Sequence, residues 1–326
     1  MCVIVYTEIN GKKILAKNRD KLYEPSIELV HEIVNGIEVA YIRDKHSGWI
    51  EGMNEKGVGM INSTLSRNDE KIVGRRLVKI ITRKKNVMYN ALIQGKENKS
   101  DMFNMIKNAK TDYVLEGHTL LMKDNEVYHI ENNKRNYFIV EKVKRGPIVF
   151  SNYGVQLKGE GYTKCSKGMS AYLRANIVKH ELQEGRIHSL DDLAQAMNRN
   201  YKNINPRFQP YRDKFITMKM NRQIHPDKVK VSTTGQLFLN MTDKEFTYYT
   251  DVHNSRKIEY KNELPRDYIP KIRIIIKETE KDMSGSRKIF SKKYLQKIEK
   301  KFDCKKNTLN KRVHEKARSF TRKKRQ

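Results

Sequence analysis

The chain has 326 residues, 37% hydrophobic and 32% charged, which suffices for one large or two small domains around a buried core. No run of about 18 apolar residues occurs, so the sequence predicts no membrane-spanning helix, and no basic stretch leading into an apolar one marks a signal peptide. The formal charge of +29 is uneven: residues 287–326 hold 17 lysines and arginines against three acidic residues, a net +14, and the other 286 residues carry +15.

In chain order, CVIVYTEI reads as a buried strand, followed by the two-residue hairpin signal Asn10-Gly11 and a second strand, KKILAKN. IELVHEIV and IEVAYI flank a second such turn at Asn35-Gly36, and GVGMINSTL reads as another buried strand. HTLLMKD and EVYHIE flank a turn at Asp124-Asn125, and PIVFSN follows. VKVSTTGQLFLN and EFTYYTD form a late strand pair, with IRIIIK as a last strand. Helices are fewer: SDMFNMIKNA with Ser100 as N-cap, SAYLRANIVKHELQ, and SLDDLAQAMNRNY with Ser189 as N-cap and Asp192 three residues on. In the last of these, Leu193, Met197 and Tyr201 recur on one face. Many strands with a few amphipathic helices predict a layered α+β domain over residues 1–282. Residues 283–326 read as a basic, partly disordered tail, in which Ile289, Phe290, Tyr294, Leu295, Ile298 and Phe302 outline one weak amphipathic helix.

Cys2, Cys165 and Cys304 are too few and too far apart for a disulfide framework, and no clustered Cys/His spacing calls for a metal. A reducing, intracellular compartment, cytoplasmic or nuclear, is the expectation. The nine histidines fit no motif; His118 and His129, at the two ends of a hairpin, read as satisfied or surface residues. Trp49 reads as core or as a pocket wall.

Cys2 carries the chemistry. Removal of Met1 before a small side chain makes Cys2 the N-terminus, and its own α-amine, with a reference pKa of about 7.7–8.0, then serves as the base for its thiol. The bland alternative is a small buried residue that begins an edge strand. The Asn10-Gly11 hairpin brings Cys2 near Lys17–Asp20, where a carboxylate can hold the amine and a cation can favour the thiolate.

MC, a strand hairpin and then Asn18-Arg19-Asp20 resemble the N-terminus of the choloylglycine hydrolase and penicillin acyltransferase group of N-terminal-nucleophile hydrolases, and of the NRDE-motif proteins. GMNEKGVGMINSTL, EGHTLLMKDNEVYHIE, PIVFSNYG, and STTGQLFLN with FTYYTD continue the resemblance in chain order to about residue 250. The resemblance implies a four-layer αββα sandwich with a basic C-terminal extension, and cleavage or transfer at a linear amide C–N bond through a Cys2 thioester, with no cofactor. It implies Cys2 as nucleophile, Asp20 orienting the amine, Asn152 donating to the oxyanion, and Asn62 or a neighbouring backbone amide as second donor. Arg174 in MSAYLR matches the group's arginine stretch, and Lys17, Arg19 and Trp49 fall to substrate binding. The chain departs from the pattern at Lys17, where bile-salt-type enzymes carry Arg, and at Lys21, where NRDE proteins carry Glu.

The expected partner is a small acyl-amide substrate. Arg322, Lys323, Lys324 and Arg325 in the tail suit non-specific contact with nucleic-acid phosphates. A second reading follows from that: a retired fold that serves as a nucleic-acid-binding or structural particle protein through its tail.

Overall fold

The computed structural model describes residues 2–21, 25–45, 47–65, 87–93, 98–108, 116–133, 138–158, 161, 165–199, 201, 204, 210, 217–218, 229–230, 232–250, 258–278 and 289–302. The last tail residues, Arg322 to Arg325 among them, and the expected boundary at residues 282 and 283 lie outside these.

The strands in chain order are β1 (Val3–Ile9), β2 (Lys12–Lys21), β3 (Ile27–Val34), β4 (Ile37–Asp44), β5 (Ile50–Asn54), β6 (Gly59–Ser63), β7 (Gly117–Lys123), β8 (Glu126–Asn132), β9 (Phe138–Lys142), β10 (Ile148–Phe150), β11 (Thr217–Met218), β12 (Val229–Lys230), β13 (Ser232–Asn240), β14 (Glu245–Thr250), β15 (Glu259–Asn262) and β16 (Arg273–Glu278). The helices are α1 (Val87–Ile93), α2 (Lys99–Asn108), α3 (Cys165–Gln183), α4 (Leu190–Asn198) and α5 (Lys292–Lys301). One sheet has six strands in the order β10-β1-β2-β13-β14-β16, another eight in the order β15-β3-β4-β5-β6-β7-β8-β9, and β11 pairs with β12.

Three hairpins turn where the sequence predicts them. Asn10 and Gly11, Asn35 and Gly36, and Asp124 and Asn125 all take positive φ between 51° and 75°, the backbone of the type I′ turn whose twist matches the flanking strands.

Strand alternation sorts the core into three layers. Ile4, Tyr6 and Leu15 of the six-stranded sheet meet Leu29, Ala40, Ile42, Met53, Ile61 and Leu120 of the eight-stranded one between the two sheets. Val3, Val5, Ile14 and Ala16, on the opposite face of β1 and β2, pack under Ala175 and Val178 of α3 and Leu193 and Met197 of α4. Tyr41, Ile50, Met60 and Leu121 of the eight-stranded sheet pack under Met88 and Leu92 of α1 and Met102 and Ile106 of α2. Helix, sheet, sheet and helix are thus stacked in four layers, the α+β sandwich that the strand pattern and the resemblance predict.

The differences from expectation are local. Helix α2 begins at Lys99, and Asn98, not Ser100, caps it, its Oδ1 accepting from the Asp101 N–H at 2.9 Å. Helix α4 ends at Asn198, because Arg199 turns extended; Tyr201 lies beyond it and is still buried. Helix α1 has no charged residue to mark either end, and burial of five of its seven side chains holds it in place. Helix α5 is capped by the Ser291 side chain and sets Ile298 against Met169 and Leu173 of α3, so this part of the basic extension packs on the body.

Gly117 opens β7 at φ +130°, and a Cβ there would lie 2.0 Å from the Ser63 carbonyl oxygen and 2.7 Å from Thr64 Cα. Both the backbone angle and the contact reject a side chain. Gly117→Ala is expected to lower unfolding stability by at least about 1–3 kcal/mol, read as a lower urea midpoint with an unchanged slope.

Candidate functional site

Cys2 immediately precedes β1, whose antiparallel register with β2 pairs Val3 with Asn18, so Cys2 falls opposite Arg19 at the end of the hairpin arms. Cys2 is buried. Its backbone N donates to Asn152 Oδ1 at 2.8 Å, and its carbonyl oxygen accepts from Ser151 Oγ at 2.8 Å and Ser63 Oγ at 3.3 Å. Its Sγ lies 3.9 Å from the Asp20 carbonyl oxygen.

Period-two alternation along β2 divides the expected residues between two faces. Asn18 and Asp20 face the helices. Asp20 Oδ2 pairs with Arg174 Nη1 at 3.1 Å, and Oδ1 accepts from Thr233 Oγ1 at 2.7 Å. Arg174, from the middle of α3, also donates through Nη2 to Asn152 Oδ1 at 3.2 Å. Asp20, Arg174 and Asn152 are all 0% exposed, so the charge of Arg174 is balanced by the protein alone. The remaining member of the tripeptide, Asn18, is structural: it donates to the Met197 and Pro210 carbonyls and accepts from Gln236 Nε2.

Lys17, Arg19 and Lys21 face the other sheet. Lys17 and Arg19 share one buried carboxylate, Glu51 of β5: Lys17 Nζ pairs with Oε1, and Arg19 Nη1 with Oε2 at 3.1 Å. Lys21 pairs with Asp44 at 3.8 Å. The ammonium groups of Lys17 and Lys21 lie 4.8 and 5.0 Å from the centre of the Trp49 ring. Burial pushes the Lys17 ammonium below its ordinary value, against the pull of Glu51 and Cys2. Nε and Nη2 of Arg19 and Nε1 of Trp49 are buried with no acceptor among the described residues.

The structure thus links Asp20, Arg174 and Asn152 in one chain of bonds that ends on the Cys2 backbone nitrogen, and sets Lys17 and Arg19 on the inner face with the Trp49 ring beside Lys17. Asn62 is a correction. Met60 packs outward and Ile61 inward, so the Asn62 side chain points outward, away from Cys2, and donates to Thr119 Oγ1 at 2.8 Å. Its backbone N–H is taken by Glu51 Oε1. Ser63, one residue on, turns inward instead. The Asn152 amide is also engaged at both ends: Nδ2 donates to the Thr64 carbonyl at 2.6 Å.

Two groups escape a reading of the sequence. Glu51 stands in an unremarkable strand. His118 and His129, read as satisfied or surface residues, are buried on the inner face, where both rings stack on Phe150 of β10. Burial, then the neighbouring His118, pushes His129 down to about 3; burial pushes His118 down too, against Glu131 and the Tyr153 carbonyl. The alternation of β7 and β8, read at period two, carries the available signal: His118, His129 and Glu131 all fall on the face of Leu120 and Val127.

A cavity of about 430 Å³ lined by Asn10, Asp191 and Asn240 sits at the hairpin-tip end of β1 and β2, away from Cys2. No helix among the described residues is long and apolar enough to cross a membrane.

No protein-family model matches the chain, and no curated protein does. Among solved structures, the chain is similar to a conjugated bile acid hydrolase from Clostridium perfringens, at TM-score 0.45 and 12% identity, over 83% of this chain and 100% of that one. It is also similar to a penicillin V acylase from Agrobacterium tumefaciens, at TM-score 0.43 and 10% identity over 77% and 86% of the two chains. A variant of the Clostridium perfringens hydrolase follows at TM-score 0.40 and 14% identity, over 78% and 90%.

Glu51 neutralises two buried cations and takes the Asn62 N–H, so its loss leaves charge stranded in the core. Glu51→Gln is expected to cost about 3–5 kcal/mol of unfolding free energy, measured by urea denaturation. Lys12→Ala, which removes the half-exposed pair with Asp243, should leave stability nearly unchanged.

Proposed function

We propose that this chain is a cysteine N-terminal-nucleophile enzyme that cleaves a linear amide C–N bond through a Cys2 thioester and passes the acyl group to water or an amine. The observation that carries this reading is the bond from the Cys2 backbone nitrogen to Asn152 Oδ1, itself tied through Arg174 to Asp20. Once Met1 is removed, that nitrogen is the α-amine, and Asn152 fixes it beside the thiol of the same residue.

The amine takes the thiol proton, and Sγ attacks the amide carbon. Collapse of the tetrahedral intermediate breaks the C–N bond, and the α-ammonium returns its proton to the departing nitrogen. Water or a second amine, deprotonated by the same base, then attacks the thioester and releases Cys2. Asn152 serves both ends of this cycle: Oδ1 holds the amine, and Nδ2 exchanges the Thr64 carbonyl for the oxyanion. Lys17, Arg19 and Trp49 wall the substrate side, where the unpaired N–H groups of Arg19 suit an acceptor on the substrate.

Intact-mass analysis before and after a short iodoacetamide pulse near pH 7 tests the reading. The expected result is a chain lacking Met1 with Cys2 alkylated first; a retained Met1, or a Cys2 no faster than Cys304, overturns it. On a panel of acyl amides, Cys2→Ala should abolish turnover, and Asn152→Ala should lower kcat by about 10²–10³-fold, as loss of an oxyanion donor does.

A further inference from the structure

On the inner face, cross-strand pairing places His118 directly opposite Glu131 and His129 diagonally from His118. All three side chains are buried, and one donor atom from each lies within 4.8 Å of the other two. His118 Nδ1 and His129 Nε2 are 3.0 Å apart, and Glu131 Oε2 is 4.0 Å from His118 Nδ1. On one tetrahedral zinc, with Zn–N bonds of about 2.0–2.1 Å, two nitrogens stand roughly 3.3–3.4 Å apart, so the imidazoles need open by only a few tenths of an ångström.

The surroundings orient the three groups as outer-shell partners orient metal ligands. His118 Nε2 lies 2.7 Å from the Tyr153 carbonyl oxygen. A carbonyl only accepts, so the proton sits on Nε2 and the Nδ1 lone pair faces His129 and Glu131. Glu131 is braced by three backbone N–H groups: Val155 at 2.9 Å and Leu157 at 3.2 Å on Oε1, and Gln156 at 2.8 Å on Oε2. The Oε2 atom keeps a lone pair for a further partner. The loop reaches Glu131 because residue 154 is glycine: a Cβ there would lie 2.0 Å from the Leu157 carbonyl oxygen.

We propose that His118, His129 and Glu131 form a binding site for a divalent first-row transition ion of the zinc class. Two neutral imidazoles and one carboxylate are a ligand set that such ions take and that calcium and magnesium do not. The ion ties β7 to β8 and, through the bonds of His118 to the Tyr153 carbonyl and of Glu131 to the 155–157 backbone, steadies the loop after β10. The site does not depend on Cys2 chemistry, and its test reads metal directly.

The full chain, stripped with a chelator, is titrated with zinc against a chromophoric chelator and separately with cobalt. The expected result is one zinc per chain, and a cobalt spectrum with ligand-field bands but no sulfur-to-metal charge-transfer band. Cys2→Ser should retain this binding; His129→Gln and Glu131→Gln should weaken it by more than about 100-fold, beyond what loss of an outer-shell partner gives. Absence of stoichiometric binding in the wild-type chain overturns the proposal, as does a thiolate cobalt spectrum or binding lost in Cys2→Ser and kept in His129→Gln. Should the glutamine variants not fold, the wild-type spectrum and the Cys2→Ser titration decide alone.

Discussion

Arg174 is a guanidinium with no access to water, held in the middle of a helix, and the placement of Cys2 depends on what neutralises it. Asp20 supplies the countercharge from β2, Asn152 supplies a carbonyl oxygen from the end of β10, and that same oxygen receives the Cys2 nitrogen. One cation therefore fastens a helix to β2, to the segment just after β10 and to the residue just before β1. Pairs of this kind contribute little net stability compared with apolar packing, but they are intolerant of losing one partner. That asymmetry suits a site in which direction matters more than energy: a displaced Asp20 or Asn152 strands a buried charge and is rejected.

The local elements were legible because their causes are local. An Asn-Gly pair adopts positive φ wherever it stands, and an alternating apolar strand buries one face in any sheet, so the hairpins and most strands could be read from short windows. The expectations at Cys2, Asp20 and Asn152 rest on their order along the chain and a resemblance to known hydrolases. What could not be read depends on distant partners. Glu51 is an ordinary strand residue until β2 crosses above it and delivers Lys17 and Arg19. Helix α1 carries no capping signal because packing, not propensity, stabilises it. Asn62 was assigned to the site from its place in a motif, and the alternation of β6 turned it outward; the period-two pattern of Met60 and Ile61, applied strictly, already indicated Ser63.

Alternation also explains how a single strand serves two chemistries. Along β2 the odd residues Lys17, Arg19 and Lys21 lie between the sheets, and the even residues Asn18 and Asp20 lie under the helices. The helix-facing set is balanced: one carboxylate meets one guanidinium. The inner set holds three cations against two carboxylates, Glu51 shared by Lys17 and Arg19 and Asp44 paired with Lys21, and two N–H groups of Arg19 have no acceptor among the described residues.

An unbalanced cation beside a buried thiol has a consequence for charge formed there. A thiolate on Cys2 or an oxyanion on a bound carbonyl carries one negative charge, and transfer of that charge from water into an apolar interior is costly when nothing offsets it. Here the positive charge is already fixed in place by Glu51 and by stacking on Trp49, so it need not reorganise as the negative charge develops, which is the condition under which electrostatic stabilisation is most effective. Burial lowers the Lys17 ammonium, whereas at the equally buried Arg19 burial is outweighed by the pull of Glu51, Tyr248 and Asp44, which carries the guanidinium above its ordinary value. Glu51 and Cys2 pull the Lys17 ammonium upward against that penalty, so the inner face of β2 couples this cation to the groups that face it.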